Sequence, residues 1–407
     1  MIADGEPDER SRGVPGRVKG LSLVSLFNDV ASEMVYPLLP AFITRTLGAG
    51  PLALGILDGA AELTASLVKW VSGRLADRPG WQKPLILWGY ALAVLVRPLI
   101  AGATSAIQVV GLRVADRIGK GVRTPPRDAM IADITSPAGR GRAFGFHRAA
   151  DHFGAVLGSV VAWWLLSRGT DVRSVIGWSV VPGAMAFVLL MVVLRGKRAD
   201  GRAGGQTRSS RMDSADHLSA NPSVRPSAHF WPPVLALTAL TFFRLPEALL
   251  ILRLQDLGVA VAAIPLVWGG LHVVRSLSSY PGGWLSDRLG PRRVVAAGGL
   301  LFAVIAVLFG APVPPLHAIL LFLVLGLVAG LTESGERAVV ARLAPVRVGR
   351  AFGSYHAVVG VAALPAGLIF GALYQSGGAR TALWASAAGM GLAVAVWLVI
   401  SPADGGR

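Results

Sequence analysis

Stretches of about twenty mostly apolar residues recur along the whole chain, and no other feature limits the possible fold as strongly. A helix of that length crosses the ~30 Å hydrocarbon core of a bilayer, because each helical residue adds about 1.5 Å. The sequence therefore predicts an all-α membrane protein with twelve transmembrane helices. The predicted spans are residues 20–43, 52–76, 84–103, 107–133, 142–166, 174–194, 231–252, 263–286, 294–311, 316–336, 351–374 and 381–400.

The composition is consistent with a bilayer as the solvent. Hydrophobic residues make up 53% of the chain and charged residues 15%, which is outside the range of ordinary soluble domains. Cysteine is absent, so disulfide frameworks and thiolate metal sites are excluded. The first nineteen residues mix acidic and basic side chains without an apolar core, and we expect no removable signal peptide.

The basic residues lie mainly between the spans and on one side of the predicted membrane. If both termini are cytoplasmic, the outward loops contain few bases, namely Arg45, Arg168, Arg173, Arg253 and Arg380. This distribution follows the positive-inside rule, and it predicts a multi-pass protein of the cell membrane with both ends in the cytoplasm. The formal charge of +16 therefore reflects topology, and no nucleic acid partner is predicted.

Several motifs occur twice at a nearly constant spacing. Gly73 and Asp77 in "GRLADRPGWQK" correspond to Gly283 and Asp287 in "GWLSDRLGPRR", and "GRAFG" occurs at 141–145 and 349–353. Such repeats predict two pseudo-symmetric six-helix bundles, with a substrate site between them near the bilayer midplane. The predicted order is a cytoplasmic tail 1–19, a first bundle 20–194, a disordered cytoplasmic linker 195–229, a second bundle 230–400 and a tail 401–407.

These motifs resemble the signatures of the major facilitator superfamily, and the similarity extends from Gly20 to Ile400. The loop after the second span resembles the superfamily's main signature, which the corresponding loop of the second half repeats. Arg113, Gly119 and Gly121 resemble a second signature, from which Asp116 and Arg117 depart. The fifth span contains only the start of an antiporter signature. The resemblance implies a secondary transporter that works by alternating access, with export as the expected direction.

We predict that the repeated loops hold an inner gate. Asp77 would lie beside a helix N-terminus near Gly349, where a carboxylate gains roughly 0.3–1 kcal/mol, and Arg78 would reach Asp133. The alternative is a basic loop with an ordinary salt bridge. The predicted gating residues are Gly73, Asp77, Arg78, Asp133, Gly283, Asp287 and Arg288.

Charged residues inside the spans are costly, at roughly 2.5–3.5 kcal/mol each on insertion scales, and therefore call for a functional explanation. Helical spacing aligns Asn28, Asp29, Glu33 and Tyr36 in the first span and Asp58 with Glu62 in the second. We assign proton coupling to Asp29, Glu33, Asp58 and Glu62 together with Asp151. His147 would form a proton relay with Asp151, or else lie in cytoplasmic water beside Arg148.

The fourth span, with "RVADRIGKGVRTPPRD" from Arg113 to Asp128, is the most charged. Pro125 and Pro126 predict a helix break beside a basic stripe, an arrangement that suits an anionic substrate group. The alternative is that the bases pair with Asp29, Glu33, Asp58 and Glu62, and that the prolines only bend the helix. The predicted substrate-binding residues are Arg113, Arg117, Lys120, Arg123, Asn28, Tyr36, Arg244 and His272. Arg244 is expected to pair with Glu247 three residues later.

Other function classes find little support in the sequence. We find no Gly-rich phosphate loop, no His-Glu-x-x-His and no Gly-x-Ser-x-Gly, which argues against ATP-driven transport and against an intramembrane enzyme. A sensor would need an output domain, and the dispersed histidines show no metal-ligand pattern. We therefore predict a monomeric, cofactor-free secondary transporter whose partners are the lipid bilayer, protons and a small solute, anionic if the basic stripe binds it. Proton-coupled export is preferred, and uptake or facilitated transport is the alternative.

Overall fold

The computed structural model describes residues 14–136, 139–195, 230–343 and 348–401. We number its main helices α1 to α13 in chain order. They are Gly16–Val35, Pro51–Ala76, Gln82–Leu99, Ala106–Asp133, Arg140–Ser167, Val172–Trp178, Val180–Arg195, Trp231–Phe242, Glu247–Asp256, Ile264–Leu289, Pro291–Gly310, Pro315–Leu343 and Val348–Ile400. Within the described ranges there is no strand. Residues 196–229 of the predicted linker, Pro137 and Pro345 lie outside these ranges.

The helices follow the predicted spans with a few differences. Helix α1 begins at Gly16, inside the predicted tail, and short helical turns extend it to Thr46. The sixth span is divided into α6 and α7, and the seventh into α8 and α9. The last two spans form one helix, α13, interrupted by Gly378 with a φ of 78°. A positive φ is open to glycine because it has no Cβ, and the chain turns there without a loop.

By length and composition, nine helical segments of the described ranges could cross a membrane. Neither α1 nor α4 is one of them. Both helices are rich in the polar and charged residues that were singled out above. One of the nine segments, Phe352–Ile400, contains both helical pieces of α13. The number of twelve crossings stays a prediction.

The helices alternate between two sides of the bundle. We call the side where α7 ends and α8 begins the linker side, and the opposite side the far side. Lys83 at the start of α3 donates to the carbonyl of Leu194 on the linker side. Arg173 donates to the carbonyl of Ala101 at 2.7 Å on the far side. We refer to residues 14–195 as the first half and to residues 230–401 as the second half.

Glycines bring the two halves together toward the far side. A Cβ on Gly55 of α2 would lie 2.0 Å from the carbonyl oxygen of Gly367 on α13, and one on Gly59 would lie 2.8 Å from that of Ala363. Residues without side chains allow helix backbones to approach this closely. At the end of this contact the amide of Leu52 donates to the side-chain oxygen of Gln375 at 3.3 Å. The far side is therefore closed by direct backbone packing.

Most bases of the far-side loops have structural partners. Arg253 donates to the carbonyls of Phe309 at 2.9 Å, Gly310 at 3.2 Å and Ala311 at 2.8 Å, and so satisfies the end of α11. Arg168 and Arg380 lie over the rings of Trp164 and Trp384. These contacts explain why cations occur in loops that the positive-inside distribution leaves mostly uncharged.

Side chains also define where far-side helices begin. The carboxylate of Asp171 accepts the backbone amide of Ser174 at 3.0 Å and its hydroxyl at 2.6 Å, which caps α6. These hydrogen bonds from Ser174 lower the pKa of the Asp171 carboxyl. Ser105 caps α4 in the same way, by accepting the amide of Gln108.

Arg253→Met is expected to destabilise the protein, because the carbonyls at the end of α11 lose their charged donor at a cost of roughly 1–3 kcal/mol. The measurement is the thermal unfolding temperature in detergent. Arg45→Met is the matched control, since Arg45 is exposed and has no hydrogen bond or ion pair among the described residues. Equal unfolding temperatures for the two variants would show that the cap contributes nothing.

Gly55→Ala should prevent full closure of the far side, because the added methyl group would meet the Gly367 carbonyl oxygen. A single cysteine at Leu249, which is fully buried, would then react faster with a maleimide. Gly111→Ala is the control, as a Cβ at Gly111 meets nothing within 4 Å. The far-side packing would be dispensable if both variants were labelled at the same rate.

Candidate functional site

A buried ion cluster connects three helices of the first half. Asp116 on α4 accepts hydrogen bonds from Arg97 at 2.8 Å and from Arg113 at 3.4 Å. All three side chains are at most 4% exposed. Arg97 also donates to the backbone oxygen of Asn28 at 2.9 Å and to its side-chain oxygen at 3.0 Å. Arg97 is not among the residues predicted from the sequence, although a lone arginine in an apolar span is itself a signal.

The basic stripe predicted on α4 consists of Arg113, Arg117, Lys120 and Arg123. Two of these four residues have structural partners. The guanidinium of Arg113, besides contacting Asp116, lies 4.7 Å from the ring centre of Tyr36. Arg123 lies 4.8 Å from the ring centre of Tyr90 and donates to the carbonyl of Gly89 at 3.1 Å. Among the described residues, the carboxylate that pairs with Arg113 is thus Asp116, and not one of the four carboxylates of α1 and α2, whereas Arg123 has no ion pair.

The other two predicted residues, Arg117 and Lys120, have no hydrogen bond or ion pair within the part of the chain that the structure describes. Arg117 is half-buried and Lys120 is exposed. The charges of Glu33 and Glu62 act on Arg117, and that of Asp29 acts on Lys120. These cations therefore interact with the carboxylates of α1 and α2 without a direct ion pair among the described residues.

Each of those carboxylates already has a hydrogen-bond donor. Asp29 accepts from Asn28 at 3.1 Å, and Glu62 accepts from the hydroxyl of Ser66 at 3.3 Å. Glu33 accepts from the indole of Trp268 in the second half at 2.7 Å. The Trp268 ring in turn packs against Tyr36, with centroids 5.1 Å apart, and against His272 at 4.9 Å.

Asp58 makes the second carboxylate contact between the halves. Both of its oxygens accept from the hydroxyl of Tyr36 at 3.1 Å, and one accepts from the backbone amide of Ala248 at 2.9 Å. Ala248 is the second residue of α9, where amide groups are free and the helix dipole is positive. We call the pairs Asp58–Ala248 and Glu33–Trp268 the far-side latch.

The expected pairing of Arg244 with Glu247 is wrong. Helix α8 ends at Phe242 and α9 begins at Glu247, so the two residues do not stack on one helix. Arg244 instead lies 3.6 Å from Glu336 and donates to Thr332 at 3.3 Å. Tyr355 donates to Glu336 at 2.9 Å. The second half therefore neutralises Arg244 with a different helix.

A second ion pair of the second half joins Arg275 on α10 to Glu333 on α12. Arg337, one turn further along α12, lies 3.6 Å from the same carboxylate. Arg275, Arg337 and Glu333 are all partly exposed. This cluster and the Arg244–Glu336 pair both connect α12 to other parts of the second half.

The predicted break of the fourth span at Pro125 and Pro126 is also wrong, because α4 is continuous from Ala106 to Asp133. Pro125 cannot donate to the carbonyl of Gly121, but the hydroxyl of Ser72 on α2 does so at 2.7 Å. The hydroxyl of Thr124 donates to the carbonyl of Lys120 at 2.7 Å. Neighbouring hydroxyl groups can restore a transmembrane helix around proline in this way. A proline does interrupt the seventh span, between α8 and α9 at Pro246.

The predicted gating residues lie on the linker side. Asp133 accepts from Gln82 at 3.3 Å rather than from Arg78. Asp77, Arg78 and Asp287 are exposed, and among the described residues none of them has an ion pair. Arg288 lies 4.2 Å from the ring centre of Trp284. Gly73 packs near Pro125, and Gly283 is half-buried on α10. Gating by these residues stays a prediction.

The predicted relay residues on α5 do lie together. His147 and Asp151 are 3.8 Å apart, and the other ring nitrogen of His147 lies 3.2 Å from the hydroxyl of Ser22. His147 is only 3% exposed, so it does not lie in cytoplasmic water, whereas Arg148 is exposed. Within the described ranges, no three His, Asp or Glu residues are grouped as metal ligands would be.

Comparison with known protein families identifies the family of this chain. The sequence model of the Major Facilitator Superfamily matches residues 21–267 and 234–407, which together cover almost the whole chain. The chain belongs to the Major Facilitator Superfamily. Its helical membrane fold is therefore that of this superfamily.

Proteins of three organisms are similar to this chain, two of them over most of their length. An uncharacterised MFS-type transporter of Methanocaldococcus jannaschii is 26% identical over 388 residues, covering 93% of this chain and 94% of its own. An uncharacterised protein of Mycobacterium tuberculosis strain H37Rv is 30% identical over 361 residues, covering 87% and 85%. Multidrug resistance protein MdtH of Photorhabdus laumondii is 32% identical over 159 residues, but covers only 39% and 38%.

Solved structures of superfamily transporters show the same fold. The nucleoside transporter NupG has a TM-score of 0.73 at 13% identity and covers 95% of this chain and 99% of its own. A D-xylose–proton symporter has a TM-score of 0.71 at 16% identity, with 95% and 96% covered. At these identities the similarity defines the fold and not the substrate.

Asp116→Asn should lower the stability of the protein by about 3 kcal/mol or more, because it leaves Arg97 and Arg113 buried without a counter-charge. The measurement is thermal unfolding in detergent, with Asp133→Asn as the control on the same helix. Asp133 is exposed and accepts only a weak hydrogen bond from Gln82. An Asp116 variant as stable as the Asp133 variant would contradict a structural role for the cluster.

Proposed function

We propose that the protein is a secondary active transporter that exports a small solute with an anionic group in exchange for protons. The solute would bind between the two halves, and transport would proceed by alternating access. The observation that carries this proposal is the pair of cations on α4, Arg117 and Lys120, which lack a hydrogen bond or ion pair among the described residues. Unpaired charges within transmembrane helices usually serve binding or ion translocation.

The contacts between the halves support alternating access. Leu52–Gln375 and the far-side latch join the halves toward the far side. Toward the linker side, Arg148 of the first half is exposed and has no ion pair with the second half among the described residues. We assign the linker side to the cytoplasm, so that the structure corresponds to the inward-open state.

The arrangement of cations supports an anionic substrate group. Arg113 and Arg123 are held by Asp116, Tyr36, Tyr90 and the Gly89 carbonyl, so they provide a positive background rather than free donors. Arg117 and Lys120 keep their donors available on the surface of α4. Arginine and lysine donors bind carboxylate and phosphate oxygens through charge-assisted hydrogen bonds, which are the stronger kind. We therefore place the anionic group of the substrate at these two residues.

The far-side latch supports coupling to protons. Both of its acceptors are carboxylates, and Asp58 points at the positive end of α9. Protonation would remove the charge that this helix end attracts and would weaken closure of the far side. We propose that Asp58 and Glu33 carry coupling protons, and that Asp29, Glu62 and the His147–Asp151 pair pass protons toward the linker side.

The direction of transport is taken from relatives. MdtH is named a multidrug resistance protein, which is consistent with export. The D-xylose–proton symporter is named for proton coupling and has the same fold, but a symporter moves its solute and the proton in the same direction. Export is the direction that we propose.

Transport in proteoliposomes tests the proposal. We expect a panel of small carboxylates and phosphates to include compounds whose movement is accelerated by an opposing pH gradient. Arg117→Gln and Lys120→Gln should each slow this movement about tenfold or more, because a charge-assisted hydrogen bond is lost. Arg45→Gln, in an exposed far-side loop, is the control.

Asp58→Asn should abolish the effect of the pH gradient while leaving exchange of the solute across the membrane measurable. Solute movement that accompanies protons in the same direction would establish uptake instead of export. Unchanged transport in both α4 variants would eliminate the anion site.

A further inference from the structure

The first residue of α9, Glu247, is an exposed carboxylate without a partner. Among the described residues it has neither a hydrogen bond nor an ion pair, whereas Asp29, Glu33, Asp58 and Glu62 each accept at least one hydrogen bond. The break in the seventh span before α9 places Glu247 at the start of a new helix. A carboxylate is favourable there, but that interaction does not require the side chain to remain unpaired.

Glu247 lies at the boundary between the halves, because the amide of the next residue, Ala248, donates to Asp58 of the first half at 2.9 Å. Glu247 acts electrostatically on Asp58 and Tyr36 of the first half and on Arg275 of the second. Arg275 is already paired with Glu333, and Asp58 already accepts from Tyr36 and Ala248. Glu247 is thus left as a free negative charge beside a second carboxylate. A cation bound at Glu247 would relieve the repulsion between them.

The free cations of α4 lie near the same contact. Arg113, one turn before Arg117 on α4, lies 4.7 Å from the ring centre of Tyr36, and Tyr36 donates to Asp58 at 3.1 Å. Asp58 in turn accepts from the amide of Ala248, the residue after Glu247. Charges of opposite sign that have no ion pair among the described residues therefore lie around one tyrosine. The first half supplies the positive charges and the second half supplies the negative one.

We propose that the substrate is a zwitterion, with its anionic group at Arg117 and Lys120 and its cationic group at Glu247. This inference rests on the proposed function, because it adds a second contact to the same site. A site with a free carboxylate rejects an analogue that lacks the complementary group, since the carboxylate then loses its solvation without gaining a partner. Such a substrate would also bridge the two halves, which couples its binding to their relative position.

Binding to the purified protein in nanodiscs tests the proposal. The probes are α- and ω-amino acids, the matched carboxylates without the ammonium group, and the matched amines without the carboxylate. The readout is the ligand-induced rise in unfolding temperature, titrated to obtain Kd. We expect amino acids to bind the wild-type protein, and their matched carboxylates to bind about tenfold more weakly or worse.

Variants of Glu247 separate a selective role from a structural one. Glu247→Gln should bind amino acids and matched carboxylates with equal affinity, whereas Glu247→Asp should keep the preference for amino acids. Unfolding temperatures without ligand verify that both variants fold. Retained discrimination in Glu247→Gln would overturn the proposal, and so would carboxylates that bind the wild-type protein as tightly as amino acids do.

The zwitterion proposal and the proposed function fail in different ways. Tight binding of simple carboxylates that Arg117→Gln abolishes would overturn the zwitterion and leave the anion site intact. Binding that Arg117→Gln does not weaken, or binding of amines alone, would overturn the anion site as well. The absence of binding by every probe class would overturn both.

Discussion

A charge buried in a membrane-spanning helix needs a partner of opposite sign, and this constraint organises the first half of the protein. Asp116 is the partner of Arg97 on α3 and of Arg113 on α4. Arg97 also donates to the side chain of Asn28 on α1. Removal of one member would leave the others uncompensated in a medium where isolated charges are costly. The cluster therefore fixes α1, α3 and α4 relative to one another, and it determines which cations of α4 are left over for a ligand.

The two halves contribute different chemistry to their interface. On the side of the second half, Arg244 pairs with Glu336 and Arg275 with Glu333, whereas Glu247 has no ion pair among the described residues. On the side of the first half, the charges without an ion pair there are Arg117 and Lys120. The latch between the halves also combines unlike parts, because the first half supplies carboxylates and the second half supplies an indole and a helix amide. A duplicated sequence pattern thus supports two surfaces that are complementary rather than equivalent.

Much of the fold could be predicted from the sequence, because apolar length and the spacing of polar residues are local properties. The helices of the first half, the stripe on α1 and the dense charge of α4 are of this kind. Contacts between helices cannot be predicted from such local patterns. Whether Arg113 or Arg117 is paired depends on Arg97 and Asp116 meeting across two helices. Whether the prolines of α4 break it depends on Ser72, a residue of α2.

The break in the seventh span was not predicted either, although a local signal for it was present. Pro246 stands inside an apolar stretch directly after Arg244 and Leu245, and proline is a local signal for a helix end. The span predicted from the sequence nevertheless runs continuously across Pro246, with Arg244 paired to Glu247. Prolines also lie inside α4, α10 and α13, at Pro125, Pro281 and Pro365, without ending these helices. A hydroxyl of a neighbouring helix donates to a carbonyl near the proline in both the fourth and the seventh span, from Ser72 and from Ser386. Proline alone therefore does not determine where a helix of this protein ends.

The most direct test of the account is a pair of distances between the halves, measured by electron spin resonance on spin labels. Because the chain has no cysteine, labels can be introduced at Arg45 and Ser376 for the far side and at Arg78 and Arg342 for the linker side. The account predicts two populations for each pair, with a short far-side distance whenever the linker-side distance is long and the reverse in the other state. Acidification should enrich the state with the long far-side distance. A far-side distance that stays fixed while the linker side opens and closes would contradict alternating access around this site.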